Sequence, residues 1–370
     1  MRVSKVLKLI CVAGARPNFI KIAPLMAELR RRPGIAPWLV HTGQHYDQRM
    51  SGLFFRQLGI PEPEVNLGVG SGSHATQTAD IMTGFEQVML EQKPDAVVVV
   101  GDVNSTIACG LVAVKLGAKL LHVEAGLRSF DRTMPEEINR IVTDSISDLL
   151  FCSEESGRRN LLREGHRAES IFLVGNVMID SLQRHRQQAE SSEILNALGL
   201  SSGGYALVTL HRPSNVDDPP TLRGILSALN RISQEMPVVF PMHPRTQARL
   251  QTPALGALVS GLQTTEPFGY LEFLKLMGSA RVVLTDSGGI QEETTILRIP
   301  CLTLRDNTER PVTCEMGTNR LVGTAPDRIM AAYREAINGQ SKHSQTPPLW
   351  DGRAAERIAT IIQGRLVAET

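Results

Sequence analysis

RVVLTDSGGIQEETTIL, residues 281–297, changes character in its middle. An apolar run ends at Leu284, Thr285 and Asp286 follow, and Ser287-Gly288-Gly289 leads into a segment with two glutamates in its first turns that reads as a helix. A strand, a glycine turn and a helix bring unpaired backbone amides and the positive end of a helix dipole to one point, where a residue without a side chain lets an anion approach. The stretch therefore predicts a phosphate site at Ser287, Gly288 and Gly289. Its bland counterpart is a tight turn with Ser287 as helix cap. It matches neither GxGxxG nor GxxxxGK[ST], so neither a dinucleotide fingerprint nor an ATPase loop is written here.

The same rhythm runs through the chain. Apolar runs ending in glycine or polar residues occur at 6–14, 37–43, 96–102, 119–126, 149–153 and 171–176, and again at 205–211, 237–243, 261–267, 281–289 and 300–306. Such strands read as continuously hydrophobic because a parallel sheet is covered on both faces. Strand and helix in alternation predict an α/β protein with two Rossmann-like doubly wound domains. The polar segment 177–204 marks the junction, giving an N-terminal domain over 1–176 and a C-terminal domain over 177–351. The last segment, 352–370, reads as an amphipathic helix with Ala355, Ile358, Ile361 and Ile362 on one face, and by pattern alone could pack on either domain.

A length of 370 residues suits two domains, and 42% hydrophobic against 21% charged residues allows two sizeable cores. The formal net charge of +1 supplies no strong field towards nucleic acid or an anionic membrane. Five cysteines, Cys11, Cys109, Cys152, Cys301 and Cys314, form no CxxC pair, and their odd number fits a reducing cytosol better than a disulfide framework. The basic and apolar N-terminus is interrupted by Lys8 and Arg16 and reads as a first strand rather than a secretion signal. No stretch reaches the roughly 18 apolar residues that a membrane helix requires.

In open parallel sheets ligands bind outside the carboxyl ends of the strands. Arg16 and Lys21 follow the first run, and as a planar fork and a point charge suit a diphosphate. Asp102 and Glu124 follow strongly apolar runs, and Glu136 stands behind Pro135 at a helix start. If the loop 127–135 folds back, these three carboxylates share a site, and mutual repulsion raises at least one pKa towards acid/base use. His211 and His243 close two strands of the second half and suggest a shared wall; Arg305 and Arg310 follow a further strand. His41 and His45 have i, i+4 spacing, but Gly43 between them and the lack of an acidic third ligand argue against zinc, so no metal site is expected.

Taken in order, GARPNFIK (14–21), VGDVNST (100–106), HVEAGLRS (122–129), MPEEINR (134–140), His211-Arg212, TDSGGIQEE (285–293) and RDNTERP (305–311) closely resemble the non-hydrolysing UDP-N-acetylglucosamine 2-epimerases. The resemblance covers about residue 8 to about residue 325. It implies the glycosyltransferase-B fold, an active site between two domains, a cytoplasmic homodimer, and a C-terminal helix that returns to the first domain. It also implies interconversion of UDP-GlcNAc and UDP-ManNAc with no NAD and no metal, through anti elimination of UDP to a 2-acetamidoglucal and readdition. Carried over, Asp102, Glu124, Glu136 and His211 are catalytic. Arg16, His211, Ser287, Gly288, Gly289 and Arg310 hold the diphosphate region, with Lys21 near the sugar or phosphate. Glu293 accepts the ribose hydroxyls, Phe268 and Phe273 line the uracil pocket, and His243 completes the substrate-binding set.

The chain also departs from many bacterial members. His211-Arg212-Pro213-Ser214-Asn215 stands where they carry HRRE, Asp47 replaces a glutamine beside Gln44 and His45, and 66–77 contains no arginine. Activation by a second UDP-GlcNAc is therefore not expected. Relatives acting on UDP-2,3-diacetamido sugars carry nearly the same motifs. A UDP-sugar glycosyltransferase of the same fold, a hydrolysing epimerase and a silent UDP-sugar sensor are the other readings; the three carboxylates argue against the sensor.

Overall fold

The apolar runs fold into parallel strands. The computed structural model describes residues 6–44, 55–250, 253–339 and 344–367, and the side chain of Arg16 is outside its description. The chain divides into two compact units, 1–184 with 348–370, and 185–347. The division falls inside the helix Val177–Glu190, within the polar segment that marks a junction in the sequence.

The first unit contains β1 (Leu7–Ala13), β2 (Ile35–His41), β3 (Val65–Asn66), β4 (Ala96–Val100), β5 (Lys119–Val123), β6 (Leu149–Cys152) and β7 (Ile171–Leu173). They form one parallel sheet in the order β3-β2-β1-β4-β5-β6-β7. All five residues of β4 are buried, the expected outcome for a central strand with helices on both faces. On one face Ile10, Val12, Val97 and Val99 meet Ile81, Phe85 and Val112 from the helices His74–Gln92 and Asn104–Lys115.

The second unit repeats the plan with β8 (Ala206–Thr209), β9 (Val238–Pro241), β10 (Gln263–Thr265), β11 (Val282–Thr285), β12 (Cys301–Thr303) and β13 (Asn319–Leu321). Its parallel order is β10-β9-β8-β11-β12-β13. Each sheet thus reverses its direction of growth once, between β1 and β4 and between β8 and β11. Loops leaving neighbouring strands there run to opposite sides and open a crevice at the strand ends.

The C-terminal helix, Ala354–Ile362, belongs to the first unit. Ala355, Ile358 and Ile362 are buried, while Ile361 is only partly so. Asp180 accepts hydrogen bonds from the backbone N–H groups of Ala354 (3.0 Å) and Ala355 (2.7 Å), and the Trp350 indole donates to Ser153 O (2.9 Å). These bonds satisfy amides that a helix start otherwise leaves orphaned. All five cysteines are free, and among the described residues no helix is long and apolar enough to cross a membrane.

Candidate active site

In the first unit the polar residues stand just past β1, β4 and β5, three neighbours in the sheet. Gly14 ends β1, and a Cβ there would lie 2.0 Å from Ser105 Oγ, so only glycine lets the turn pass the helix after β4. Asn18 Oδ1 accepts from the amides of Gly14 (3.3 Å) and Ala15 (3.0 Å), and its Nδ2 donates to Val100 O (2.8 Å), tying the turn to the end of β4. One turn further along the helix Arg16–Leu29, the buried Lys21 ammonium is paired with Glu124. The pair lies against Gly101, whose Cβ position is 3.2 Å from Lys21 Nζ and 3.5 Å from Glu124 Oε2.

Glu124 has φ +71°, left-handed for a residue with a side chain. Such a backbone costs of order 1–3 kcal/mol and persists where its surroundings over-determine it. Here the surroundings are a buried charge network on β5 and the helix Pro135–Ile146. His122 Nδ1 faces Asp144 Oδ1 (2.6 Å), and its Nε2 faces the Gly101 carbonyl (2.8 Å). Asp144 also accepts from Gly126 N (3.0 Å) and pairs with Arg128 (2.7 Å). Burial alone would raise the Asp144 carboxyl, but attraction from His122 and Arg128 outweighs it and holds the group below the usual carboxylate range.

Asp102 follows Gly101 and is ion-paired with the buried Arg140, whose guanidinium is in turn gripped by Glu137 Oε2 through Nε (3.0 Å) and Nη2 (2.6 Å). Glu136, in the first turn of the same helix, is half-buried and makes no hydrogen bond or ion pair among the described residues. The expected mutual repulsion of three carboxylates therefore meets a different arrangement. Two of them, Asp102 and Glu124, each face a cation.

In the second unit the sites lie past β8, β9 and β11. Asp286, fully buried, accepts from the amides of His211 (3.0 Å) and Arg212 (2.9 Å) and from Asn215 Nδ2 (3.3 Å), and its Oδ1 faces His211 Nδ1 at 2.8 Å. One carboxylate thus shapes the loop after β8 and orients the histidine. Burial would raise its pKa, yet His211 and the two amides bring it below the ordinary value. The rings of His211 and His243 stand 5.6 Å apart, which gives the two histidines the common wall their positions suggest. His243 Nδ1 also accepts from Arg245 N (3.2 Å), capping a short helix.

Ser287 caps the helix Gly288–Leu297 as N-cap residue, but its side chain makes no capping hydrogen bond. Around this helix start Glu309, 1% exposed, gathers three guanidiniums: Arg310 (2.5 Å), Arg305 (2.8 Å) and Arg212 (3.3 Å). Arg310 also bonds the fully buried Glu292 (2.7 Å). A Cβ on Gly288 would lie 2.4 Å from Arg310 Nη1 and 2.7 Å from Glu309 Oε1. The space that glycine vacates is taken by the arginine itself, which brings its charge to the helix N-terminus. Arg212 Nε and Arg305 Nη1 are buried donors without an acceptor in the protein, as expected where an anionic ligand completes the set.

Glu293, 4% exposed, accepts from the Tyr270 hydroxyl at 3.0 Å. Burial, and then the Glu293 charge, pushes the Tyr270 phenol well up. Phe268 and Phe273 flank this tyrosine in the chain and are half-buried. Gly289 is half-buried in the first turn of its helix. His45 and Asp47 lie outside the described residues, while Gln44 Oε1 accepts from Ser105 Oγ (2.7 Å). Buried His41 packs its ring edge-on to Phe19 at 5.1 Å, a core position. Among the described residues no group of three or more His, Cys, Asp or Glu side chains could hold a metal ion.

Sequence reasoning passed over Asp286, Glu309, Tyr270, Glu137 and Arg140. A signal existed for the last pair, because Glu and Arg at i, i+3 on one helix are neighbours. Asp286 stands within the quoted strand-turn-helix stretch, but its partners are some 75 residues away.

The family model described as UDP-N-acetylglucosamine 2-epimerase matches residues 27–363. A UDP-N-acetylglucosamine 2-epimerase of Methanocaldococcus jannaschii is 43% identical over 364 residues, 96% of this chain and 99% of the relative. Its crystal structure in complex with UDP-GlcNAc and UDP superposes with a TM-score of 0.91, covering 97% of this chain and 100% of that one. A UDP-2,3-diacetamido-2,3-dideoxy-D-glucuronate 2-epimerase of Pseudomonas aeruginosa is likewise 43% identical over 359 residues, 95% of this chain and 98% of the relative. A UDP-glucosyltransferase from Polygonum tinctorium, 14% identical with a TM-score of 0.57 over 97% of this chain and 99% of that one, shares the glycosyltransferase-B fold alone. With its two Rossmann-like units and a family match over most of its length, the chain belongs to the UDP-N-acetylglucosamine 2-epimerase family.

Proposed function

We propose that the protein interconverts UDP-N-acetylglucosamine and UDP-N-acetylmannosamine without hydrolysis. The observation that carries the reading is the helix start at Gly288, where Arg212, Arg305 and Arg310 surround Glu309 and leave buried donors for a diphosphate. Glu293 lies in the next turn and serves the ribose, with Phe268 and Phe273 beside the uracil. Arg16 and Lys21 add positive charge towards the sugar and phosphate from the first unit.

The chemistry falls to the carboxylates. A base takes the C2 proton, the C2–H electron pair becomes the C1–C2 double bond, and the C1–O pair leaves with UDP. The C2 proton of such a sugar is poorly acidic, so C1–O cleavage runs ahead and positive charge develops at C1. The Asp102 and Glu124 carboxylates stabilise that charge. Readdition protonates C2 on the opposite face and returns the UDP oxygen to C1. Inversion therefore needs acid/base groups on both faces, a role that falls to Glu136 together with Glu124 and its partner Lys21. His211, oriented by Asp286, donates to the leaving diphosphate.

We further infer that it works as a cytoplasmic homodimer. The five free cysteines fit a reducing compartment, and the family resemblance supports the dimer. The test is proton NMR of UDP-GlcNAc with the protein in D2O. Deuterium at C2 of an emerging UDP-ManNAc, with no free sugar, is the expected result. Release of free sugar would replace the reading with hydrolysis. Absence of exchange with UDP-GlcNAc, together with exchange on UDP-2,3-diacetamido-2,3-dideoxyglucuronate, would move the substrate to that of the P. aeruginosa relative, whose identity to this chain is as high.

A further inference from the structure

We propose that Arg140, oriented by Glu137, is a positioning residue that keeps Asp102 ionised and fixed in place at the end of β4, so that Asp102 acts as a standing negative charge and not as a proton donor. This rests on the reading of Asp102 as a residue of the reaction.

Three observations carry it. The helix Pro135–Ile146 grips Asp102 twice: Asn139 Nδ2 donates to the Asp102 carbonyl (2.9 Å), and one residue on, Arg140 Nη1 is paired with the carboxylate. The Arg140 side chain is 2% exposed and Glu137's 1%, while a quarter of Asp102's remains accessible, so the pair is buried behind the group that faces solvent. Glu137 is itself locked. Its Oε2 accepts from Ser129 N (3.0 Å) and Ser129 Oγ (3.1 Å), its Oε1 accepts from Phe130 N (2.9 Å), and the same Oε2 takes both Arg140 contacts.

Burying two charges is expensive, and a hydrophobic pair of similar volume would stabilise such a helix at least as well. An arginine held from behind by one carboxylate and presented to another is an arrangement for orientation. It also gives a reason for consecutive glutamates at the helix start: Glu136 is left without a partner among the described residues, while Glu137 is spent on Arg140.

The other charges around Asp102 do not replace this one. Lys21 from the helix Arg16–Leu29 lies close to Gly101 but is paired with Glu124 of β5. His122 of β5, backed by Asp144, Arg128 and the rest of that network, meets the Gly101 carbonyl rather than the Asp102 side chain. Glu136 and Glu137 on the helix, and Glu124, are negative and would favour a protonated Asp102. Removal of Arg140 leaves that influence uncompensated. An adjacent opposite charge lowers a carboxylate pKa by about 1–3 units, so the loss should raise Asp102 by at least about one.

The variants are Arg140→Met, Arg140→Lys, Glu137→Gln and Asp102→Asn in the full chain. The primary readout needs no turnover: with 13C-labelled aspartate carboxyls, the Asp102 resonance is assigned by its disappearance in Asp102→Asn and titrated in each variant. A midpoint raised by about one unit or more in Arg140→Met, largely restored in Arg140→Lys, is expected; an unmoved midpoint overturns the proposal. In turnover, the acid limb of the kcat profile should move to higher pH in Arg140→Met, and Arg140→Met added to Asp102→Asn should change kcat less than twofold, because the two act as one unit. Additive losses would show a merely structural arginine and overturn it. If Arg140→Met does not fold, Arg140→Lys and Glu137→Gln carry both measurements. Full activity of Asp102→Asn would overturn the reading of Asp102 as a residue of the reaction, a result distinct from an unmoved midpoint.

Discussion

Gly288→Ala adds one methyl group where the structure has filled the space. The new Cβ would stand 2.4 Å from Arg310 Nη1 and 2.9 Å from its Cζ, so the guanidinium must retreat by roughly 1 Å to regain van der Waals separation. It has little room to do so, being 5% exposed and bonded at 2.7 Å to Glu292 and 2.5 Å to Glu309. Loss of one such charge-assisted bond costs about 3 kcal/mol, since both carboxylates are buried. Alanine returns up to about 1 kcal/mol in helix propensity. The net is about 2 kcal/mol, which lowers the melting temperature of this unit by roughly 4–8 °C. Because the guanidinium also faces the proposed diphosphate, UDP affinity should fall about 30-fold for the same 2 kcal/mol. Differential scanning calorimetry and UDP titration calorimetry on the two proteins decide it. A variant that melts at or above the parent temperature and binds UDP equally well would refute the reasoning, because Arg310 would then not occupy that space.

Asp180 offers a pH prediction in the first unit. Burial raises its carboxyl from 3.8 to about 6 despite the two amides of the C-terminal helix. A raised folded pKa favours folding while the group is protonated, so this contribution is present below about pH 4 and is lost as pH climbs through 6, up to about 3 kcal/mol. Asp180→Asn should therefore gain on the parent between pH 4 and pH 7 in urea denaturation, and a constant difference would sink the idea. Asp286 has the opposite sign, since its folded pKa is depressed: its stabilisation is present above the unfolded value and lost on acidification. Asp286→Asn should destabilise by about 1–3 kcal/mol at pH 7, with the gap closing in acid, and should lower kcat through a misoriented His211; an equal gap at all pH values would contradict this. Glu293→Ala should weaken UDP about tenfold or more, whereas Tyr270→Phe, which removes only the neighbouring hydroxyl, should change it much less; equal losses would show that the Glu293–Tyr270 bond, and not a ribose contact, matters.

The strands of both sheets were readable because each is covered on both faces and so appears as an unbroken apolar run. The exceptions are instructive. β3 spans two residues and β13 three, too short for any hydrophobic pattern, and both lie at sheet edges where partial exposure suffices. The helix starts at Pro135 and Gly288 were legible from proline and glycine placement. The identity of the polar residues was also local information, since a group just past a parallel strand lies at the binding end of the sheet whatever its partners are.

What each group does there was decided by distance in the chain. Asp102 meets Arg140, Glu124 meets Lys21, and Asp286 holds the amides of His211 and Arg212, pairings set by which strands neighbour one another rather than by spacing. The sequence by itself determined two parallel sheets with an anion-binding helix start and a set of carboxylates at their strand ends. Only the tertiary structure decided that two of those carboxylates face cations instead of each other, and that Arg310 takes the place of the missing Cβ at Gly288. Hydrophobic periodicity is a local property of a chain, whereas an ion pair forms between any two charges that the topology brings within reach.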